Sequence, residues 1–229
     1  MTLRVLAIAA MLAFGSLGVA GAQSSAPSAP AATSRRPAPA DAQEVIARML
    51  SRNAGLASYT VRVRVHMRTV IPFYSPNLDG TAYFKRPDNF ALVFDHVPSY
   101  GKGFQKLFDD VGDPTGWEKD SNIKLQGMGQ LDGKPMIVLV LTKKIYSDQI
   151  KDTTVYVDPA TYELAEMDWH YTNGGSIVMK QSYREENGFS VVSQQHVDIR
   201  YRVHATGDSQ YGPYQTNVAV SDAVFTKQP

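Results

Sequence analysis

Alternation of apolar and polar residues, with the two-residue period of a β-strand, constrains this chain most strongly. The clearest run covers residues 59–70, YTVRVRVHMRTV. Its odd-numbered positions from Tyr59 to Met67 are apolar or aromatic, and Thr60, Arg62, Arg64, His66 and Arg68 fall between them. Such a strand has one buried face and one solvated face. Since turn residues separate about ten such runs, the pattern predicts a mainly β (α+β) protein built as an antiparallel meander that curls.

Turn signals set the expected strand boundaries. Asp79-Gly80 predicts a turn before a strand, and Asp132-Gly133 predicts a hairpin. The apolar run 136–141, MIVLVL, is typical of a strand buried on both faces. One long strand is expected over residues 189–204 and a last strand over residues 217–225.

A single amphipathic helix precedes the strands. Asp41 followed by Glu44 fits a capping box, and Gly55 is a plausible stop, so a helix is expected over residues 41–54. One apolar stripe along it would face the sheet. The stripe consists of Val45, Ile46, Met49 and Leu50.

The N-terminal residues have the layout of a secretory signal peptide. Arg4 precedes an apolar run over residues 5–14, and small residues lead to a cleavage site after Ala22. The run is shorter than the roughly 20 residues that a membrane-spanning helix needs. Residues 23–40 are rich in Ala, Pro and Ser and predict a disordered linker. The expected organisation is therefore a signal peptide (1–22), a linker (23–40) and a single β domain (41–229) in the periplasm.

Composition excludes several classes of function. The chain has no cysteine, which rules out thiolate metal sites and thiol nucleophiles. Without residues 1–22 it carries 22 basic and 22 acidic residues, since that segment holds Arg4 and no acid. A neutral protein is a poor candidate for binding nucleic acid. No catalytic, metal-binding or cofactor motif is present, so we expect neither enzymatic activity nor a cofactor. A hydrolase that uses the acids Asp109, Asp110 and Asp113 is a minor alternative.

The remaining possibility is that the protein binds an apolar ligand. One helix provides a narrow stripe, whereas about ten strands provide more apolar surface than that stripe can cover. A curled sheet with one helix inside leaves room for a cavity, and cavities in β-barrels hold apolar ligands. A close-packed core without a cavity is the alternative.

Several segments resemble a known superfamily. They are the strand YTVRVRVHM, the segment LDGTAYFKRPDNFALVFD with its arginine–proline turn, and the hairpins GMGQLDGKPMIVLVLTKK and TTVYVDPATYELAEMDWHYTNGGSIV. Over residues 41–205 the chain resembles the outer-membrane lipoprotein-sorting proteins, the LolA/LolB-like superfamily, which also includes regulators of the RseB type.

The resemblance implies an unclosed half-barrel with the N-terminal helix against its concave face. It implies a non-catalytic periplasmic carrier in outer-membrane biogenesis that binds lipid or the acyl chains of lipoproteins and exchanges them with a membrane-bound donor or acceptor protein. An RseB-like sensor that docks a partner protein is the alternative. By strand phase, the expected lining of the cavity is Val61, Val63, Val65, Met67, Phe84, Phe90, Leu92, Phe94, Met167, Trp169, Ile177, Met179, Ile199 and Tyr201.

Overall fold

A computed structural model describes residues 39–70, 75–96, 114–145, 149–201 and 203–226. They belong to a compact unit that covers residues 37–229. The expected signal peptide, all of the expected linker but its last two residues, and the acids Asp109, Asp110 and Asp113 lie outside the described residues. No helix in the described part of the chain has the length and apolarity needed to cross a membrane.

The helix that the sequence predicts is present and is capped as expected. Helix α1 covers Ala42–Ser51, with Asp41 as its N-cap. The Asp41 carboxylate accepts the Glu44 backbone N–H at 2.8 Å, and the Glu44 side chain accepts the Ala40 backbone N–H at 2.7 Å. The first bond satisfies a donor that the first turn of the helix leaves open, and the second ties Glu44 to the residue before the N-cap.

Ten strands form one curled, unclosed antiparallel sheet, which confirms the predicted half-barrel. The strands are β1 (Ser58–Thr69), β2 (Asn77–Lys85), β3 (Asn89–Phe94), β4 (Ser121–Leu131), β5 (Lys134–Lys143), β6 (Ile150–Val157), β7 (Leu164–Tyr171), β8 (Ser176–Glu186), β9 (Phe189–Tyr201) and β10 (Val203–Thr216). A 3₁₀ turn (Pro114–Gly116) and two short helices, α2 (Trp117–Asp120) and α3 (Ala223–Thr226), complete the described elements.

The strand order joins the two ends of the meander. It runs β3-β2-β1-β10-β9-β8-β7-β6-β5-β4, so β1 pairs with β10. Strands β3 and β4 follow each other along the chain but lie at opposite edges of the sheet. The expected alternation in β1 is confirmed, since Val61, Val63 and Val65 are buried whereas Arg62 and Arg64 are exposed.

The predicted position of the last strand is wrong. The predicted strand 189–204 is two strands, with β9 ending at Tyr201 and β10 starting at Val203, and residues 217–225 are not a strand. The sequence of β10, VHATGDSQYGPYQT, contains Gly, Asp and Pro, which are uncommon in strands. Its Pro213 is tolerated because Gly212 and Pro213 together face Arg62 across a bulge between β10 and β1.

The predicted turn at Asp79-Gly80 is also wrong, because both residues lie within β2. Gly80 pairs with Val63 on one side and with Phe94 on the other. A Cβ atom at Gly80 would lie 2.8 Å from the Val93 carbonyl oxygen. The glycine therefore permits close approach of two strands rather than a reversal of the chain.

The apolar residues of the concave face form two clusters. The larger one packs α1 against β5–β9, through residues such as Val45, Ile46, Leu139, Val155 and Met179. The smaller one covers β1–β3 together with Val191 of β9 and Tyr214 of β10. The helix thus covers only part of the concave face, as one apolar stripe can.

Candidate functional site

A cavity of about 170 Å³ lies at the C-terminal end of α1, beside residues of both clusters. Residues from α1 and the turn after it form one side: Met49, Leu50, Arg52, Asn53 and Leu56. The beginning of β1 and the end of β2 contribute Tyr59, Phe84 and the following Arg86. Pro114 and the strands β8–β10 complete the lining, with Gln181, Tyr183, Ser190, Val191, Val192 and Tyr214.

An aromatic group forms the apolar part of this cavity. The rings of Tyr59 and Phe84 stack with their centroids 5.2 Å apart, and Tyr214 meets Tyr59 edge-on at 5.1 Å. The Tyr214 hydroxyl donates to the Val192 carbonyl at 2.9 Å. Burial raises the pKa of the Tyr214 hydroxyl above its usual value, so it stays a neutral donor. These contacts hold three rings in fixed positions.

Another part of the cavity lining is polar. The Tyr183 hydroxyl donates to Gln181 Oε1 at 2.8 Å, and the Arg52 guanidinium lies 5.0 Å from the centre of the Tyr183 ring. Arg52 also pairs with Glu163 at 3.0 Å. Ser190 donates its hydroxyl to the same carboxylate. The charge of Arg52 is therefore compensated within the protein.

The second arginine of the cavity, Arg86, has neutral partners. Its Nε donates to the Leu56 carbonyl at 2.7 Å and its Nη2 to the Asn53 carbonyl at 2.8 Å. Within the described part of the chain, no carboxylate lies within ion-pair distance of Arg86, unlike Arg52. Two hydrogen bonds thus orient an exposed guanidinium that has no acidic partner among the described residues.

The residues that strand phase selected as the lining divide between the two apolar clusters. The larger cluster contains Met167, Ile177, Met179 and Ile199, with Trp169 and Tyr201 partly buried against it. The smaller cluster contains Val61, Val63, Val65, Met67, Leu92 and Phe94, with Phe90 partly buried against it. Phe84 lines the cavity described here. Ligand contact by this set stays a prediction.

Sequence reasoning missed most residues that line the cavity. Tyr59 falls on the buried face of β1 in the alternating pattern, and this pattern was the sequence feature that could have identified it. Leu56 and Asn53 lie in the turn after α1, where no period applies. Tyr214 belongs to β10, the strand that was misplaced.

The convex face carries paired charges. Arg62 contacts Asp95 at 2.6 Å, and Arg64 contacts Asp79 at 3.0 Å. Arg68 lies 3.6 Å from Asp208. Each of these three arginines of β1 has a carboxylate partner, which agrees with a solvated outer face. Among the described residues, no group of three or more His, Asp or Glu side chains is arranged to hold a metal ion.

Several solved structures share this architecture. A proposed outer-membrane lipoprotein-sorting protein domain from Vibrio parahaemolyticus superimposes with a TM-score of 0.64 at 8% identity, over 80% of this chain and 95% of that one. A LolA superfamily protein from Nitrosomonas europaea gives 0.61 at 13% identity, over 82% and 98%. A DUF1329 family protein from Desulfovibrio piger also gives 0.61, at 14% identity, over 80% and 94%.

The fold is LolA-like. At such low identities the likeness concerns the architecture alone. No family model matches the sequence, and no curated protein matches it either. The expected fold is therefore confirmed.

Proposed function

We propose that this protein is an exported, non-catalytic carrier that binds lipid or the acyl chains of lipoproteins on the concave face of its LolA-like sheet. The observation that carries the proposal is the cavity at the end of α1, where Leu56, Tyr59 and Phe84 present an apolar surface beside a polar side. Ligand pockets combine such apolar walls with a few oriented polar groups. The signal-peptide pattern of residues 1–22 supports a periplasmic site of action.

The volume of the cavity limits what it holds in this conformation. At about 170 Å³ it is close to the size of an engineered cavity of about 150 Å³ that binds benzene. It therefore accommodates about six carbon atoms, the end of a longer chain. At about 0.8 kcal/mol per CH₂, that burial gives roughly 5 kcal/mol before the cost of association. Even without that cost, such a value corresponds to a Kd of only about 0.2 mM.

Tight binding of a long acyl chain consequently requires a longer groove. The concave clusters supply it if α1 moves away from β5–β9, because the larger cluster lies directly beneath the helix. The contacts between Arg52 and Glu163 and between Asn53 and Ser190 would have to break. We expect affinity to increase with chain length beyond six carbons only when this movement occurs.

The test is native mass spectrometry of the mature protein purified from the periplasm, with organic extraction of bound molecules. Val192→Trp places a large ring in the cavity, and Val93→Trp makes the same change at an exposed position of β3. We expect the wild type and Val93→Trp to carry lipid or acylated peptide, and Val192→Trp to lose it while keeping the circular dichroism of the wild type.

Two results would contradict the proposal. One is a wild-type protein that is free of ligand and takes up no added lipid, which would favour docking of a protein partner. The other is lipid binding that Val192→Trp and Val93→Trp leave equally intact.

A further inference from the structure

The cavity has an excess of positive charge at its rim. Among the described residues, its lining contains Arg52 and Arg86 and no acidic side chain. Glu163 neutralises Arg52 from outside the lining, whereas Arg86 donates to two backbone carbonyls. A cleft lined by charge of one sign attracts ligands of the opposite sign.

The orientation of Arg86 favours an anion at a defined place. Nε and Nη2 donate to the carbonyls of Leu56 and Asn53. Nη1 is therefore the guanidinium nitrogen that is oriented to bind a ligand. Both accepting carbonyls belong to the turn after α1, which itself lines the cavity. A guanidinium fixed in this way loses little conformational freedom when it binds a carboxylate or a phosphate.

From these observations we propose that the cavity selects an amphiphile with an anionic head group, a carboxylate or a phosphate, which pairs with Arg86 while the chain end contacts Leu56, Tyr59 and Phe84. This inference rests on the proposed function and narrows its ligand class. It separates anionic single-chain lipids from acyl chains in neutral ester or amide linkage, which offer Arg86 no charge.

The first experiment compares ligands of one chain length. Nonanoate, octyl phosphate and the neutral octanol present the same eight-carbon alkyl chain, and isothermal titration calorimetry of the mature protein measures each at pH 7.5. We expect at least one of the two anions to bind about fivefold more tightly than octanol, as befits a charge-assisted contact at an exposed site. The preference should shrink when the salt concentration is raised from 0.05 to 0.5 M, because added salt screens exposed charges.

The second experiment changes the cation. Arg86→Gln removes the charge and keeps an N–H donor at the position of Nε, which bonds to the Leu56 carbonyl, and Arg86→Lys keeps the charge. Arg62→Gln, on the convex face, is the matched control. We expect Arg86→Gln to abolish the preference for the anion over octanol, and both Arg86→Lys and Arg62→Gln to retain a preference.

The outcomes distinguish the two proposals. If neither the anions nor octanol bind the wild type, the carrier function itself fails. If octanol binds as tightly as both anions, or if Arg86→Gln leaves the preference unchanged, the carrier function stands and the inference about the head group is wrong. If one anion alone is preferred, the preferred head group identifies the source of the charge as a fatty acid or a phosphate-bearing lipid.

Discussion

Asp168 in β7 provides a test of the electrostatics of the convex face. It lies between Thr154 of β6 and Val178 of β8, and its Oδ1 is buried without a hydrogen-bond partner among the described residues. Burial, followed by the negative charge of Glu166, raises the pKa of Asp168 from 3.8 to about 6. Electrostatic interactions with His170 and Lys180 act in the opposite direction without cancelling this shift.

The raised pKa means that ionised Asp168 destabilises the folded protein. Because the folded state binds this proton more tightly than the unfolded state, stability decreases as the pH rises from about 4 to about 6, and the loss is complete above that range. At 1.36 kcal/mol per pKa unit the shift is worth about 3 kcal/mol at most. Asp168 is only half-buried, so solvent screening reduces the expected effect to about 1 kcal/mol.

Asp168→Asn removes the charge and nearly keeps the shape. We expect it to stabilise the protein by about 1 kcal/mol at pH 7.5, which raises Tm by about 2–4 °C for a domain of this size, and to have no effect near pH 4. Thermal unfolding followed by circular dichroism at both pH values measures the difference. Asp95→Asn is the control of opposite sign, because the hydrogen bond from Arg62 lowers the pKa of Asp95. Equal stabilisation by Asp168→Asn at both pH values, or destabilisation at pH 7.5, would refute the reasoning.

Two further changes test the fold. Asp41→Ala removes the N-cap of α1 and should lower the free energy of unfolding by about 1 kcal/mol in urea denaturation, with Asp41→Asn retaining most of the stability; an unchanged midpoint for Asp41→Ala would speak against the cap. Gly80→Ala places a Cβ atom 2.8 Å from the Val93 carbonyl oxygen, so we expect a loss of about 1–3 kcal/mol. The same measurement on Gly207→Ala, where a Cβ atom meets nothing within 4 Å, gives the control, and equal losses at the two glycines would contradict the close approach of β2 and β3.

The sequence predicted the fold wherever a local period was uninterrupted. The alternation around Val63 defined β1 and its buried face, and the Asp41–Glu44 pair defined the beginning of α1. The prediction failed where the structure depends on a distant partner. Strand β10 forms despite Gly212 and Pro213 because it has β1 on one side and β9 on the other, and no local pattern carries that information.

The candidate site was less predictable for the same reason. Strand phase identifies which side chains point inward, but it does not say which inward residues border a cavity. Arg86 was visible as part of an arginine–proline turn, yet its position at the cavity follows from hydrogen bonds to Asn53 and Leu56, about thirty residues earlier in the chain. Buried residues such as Val63 pack into a cluster that the cavity only borders.

The pairing of β1 with β10 has a consequence for the order of folding. Val65 lies opposite Ser209, so the contact that joins the first three strands to the other seven must wait until nearly the whole domain has been synthesised. Contacts of such sequence separation close slowly, since the entropy of a long loop is lost before they form. Until then β1–β3 can form no more than a three-stranded meander with an open edge, and α1 has no completed sheet to cover. The last step in assembling the half-barrel is therefore the pairing of β1 with β10, the strand that the sequence pattern predicts least clearly.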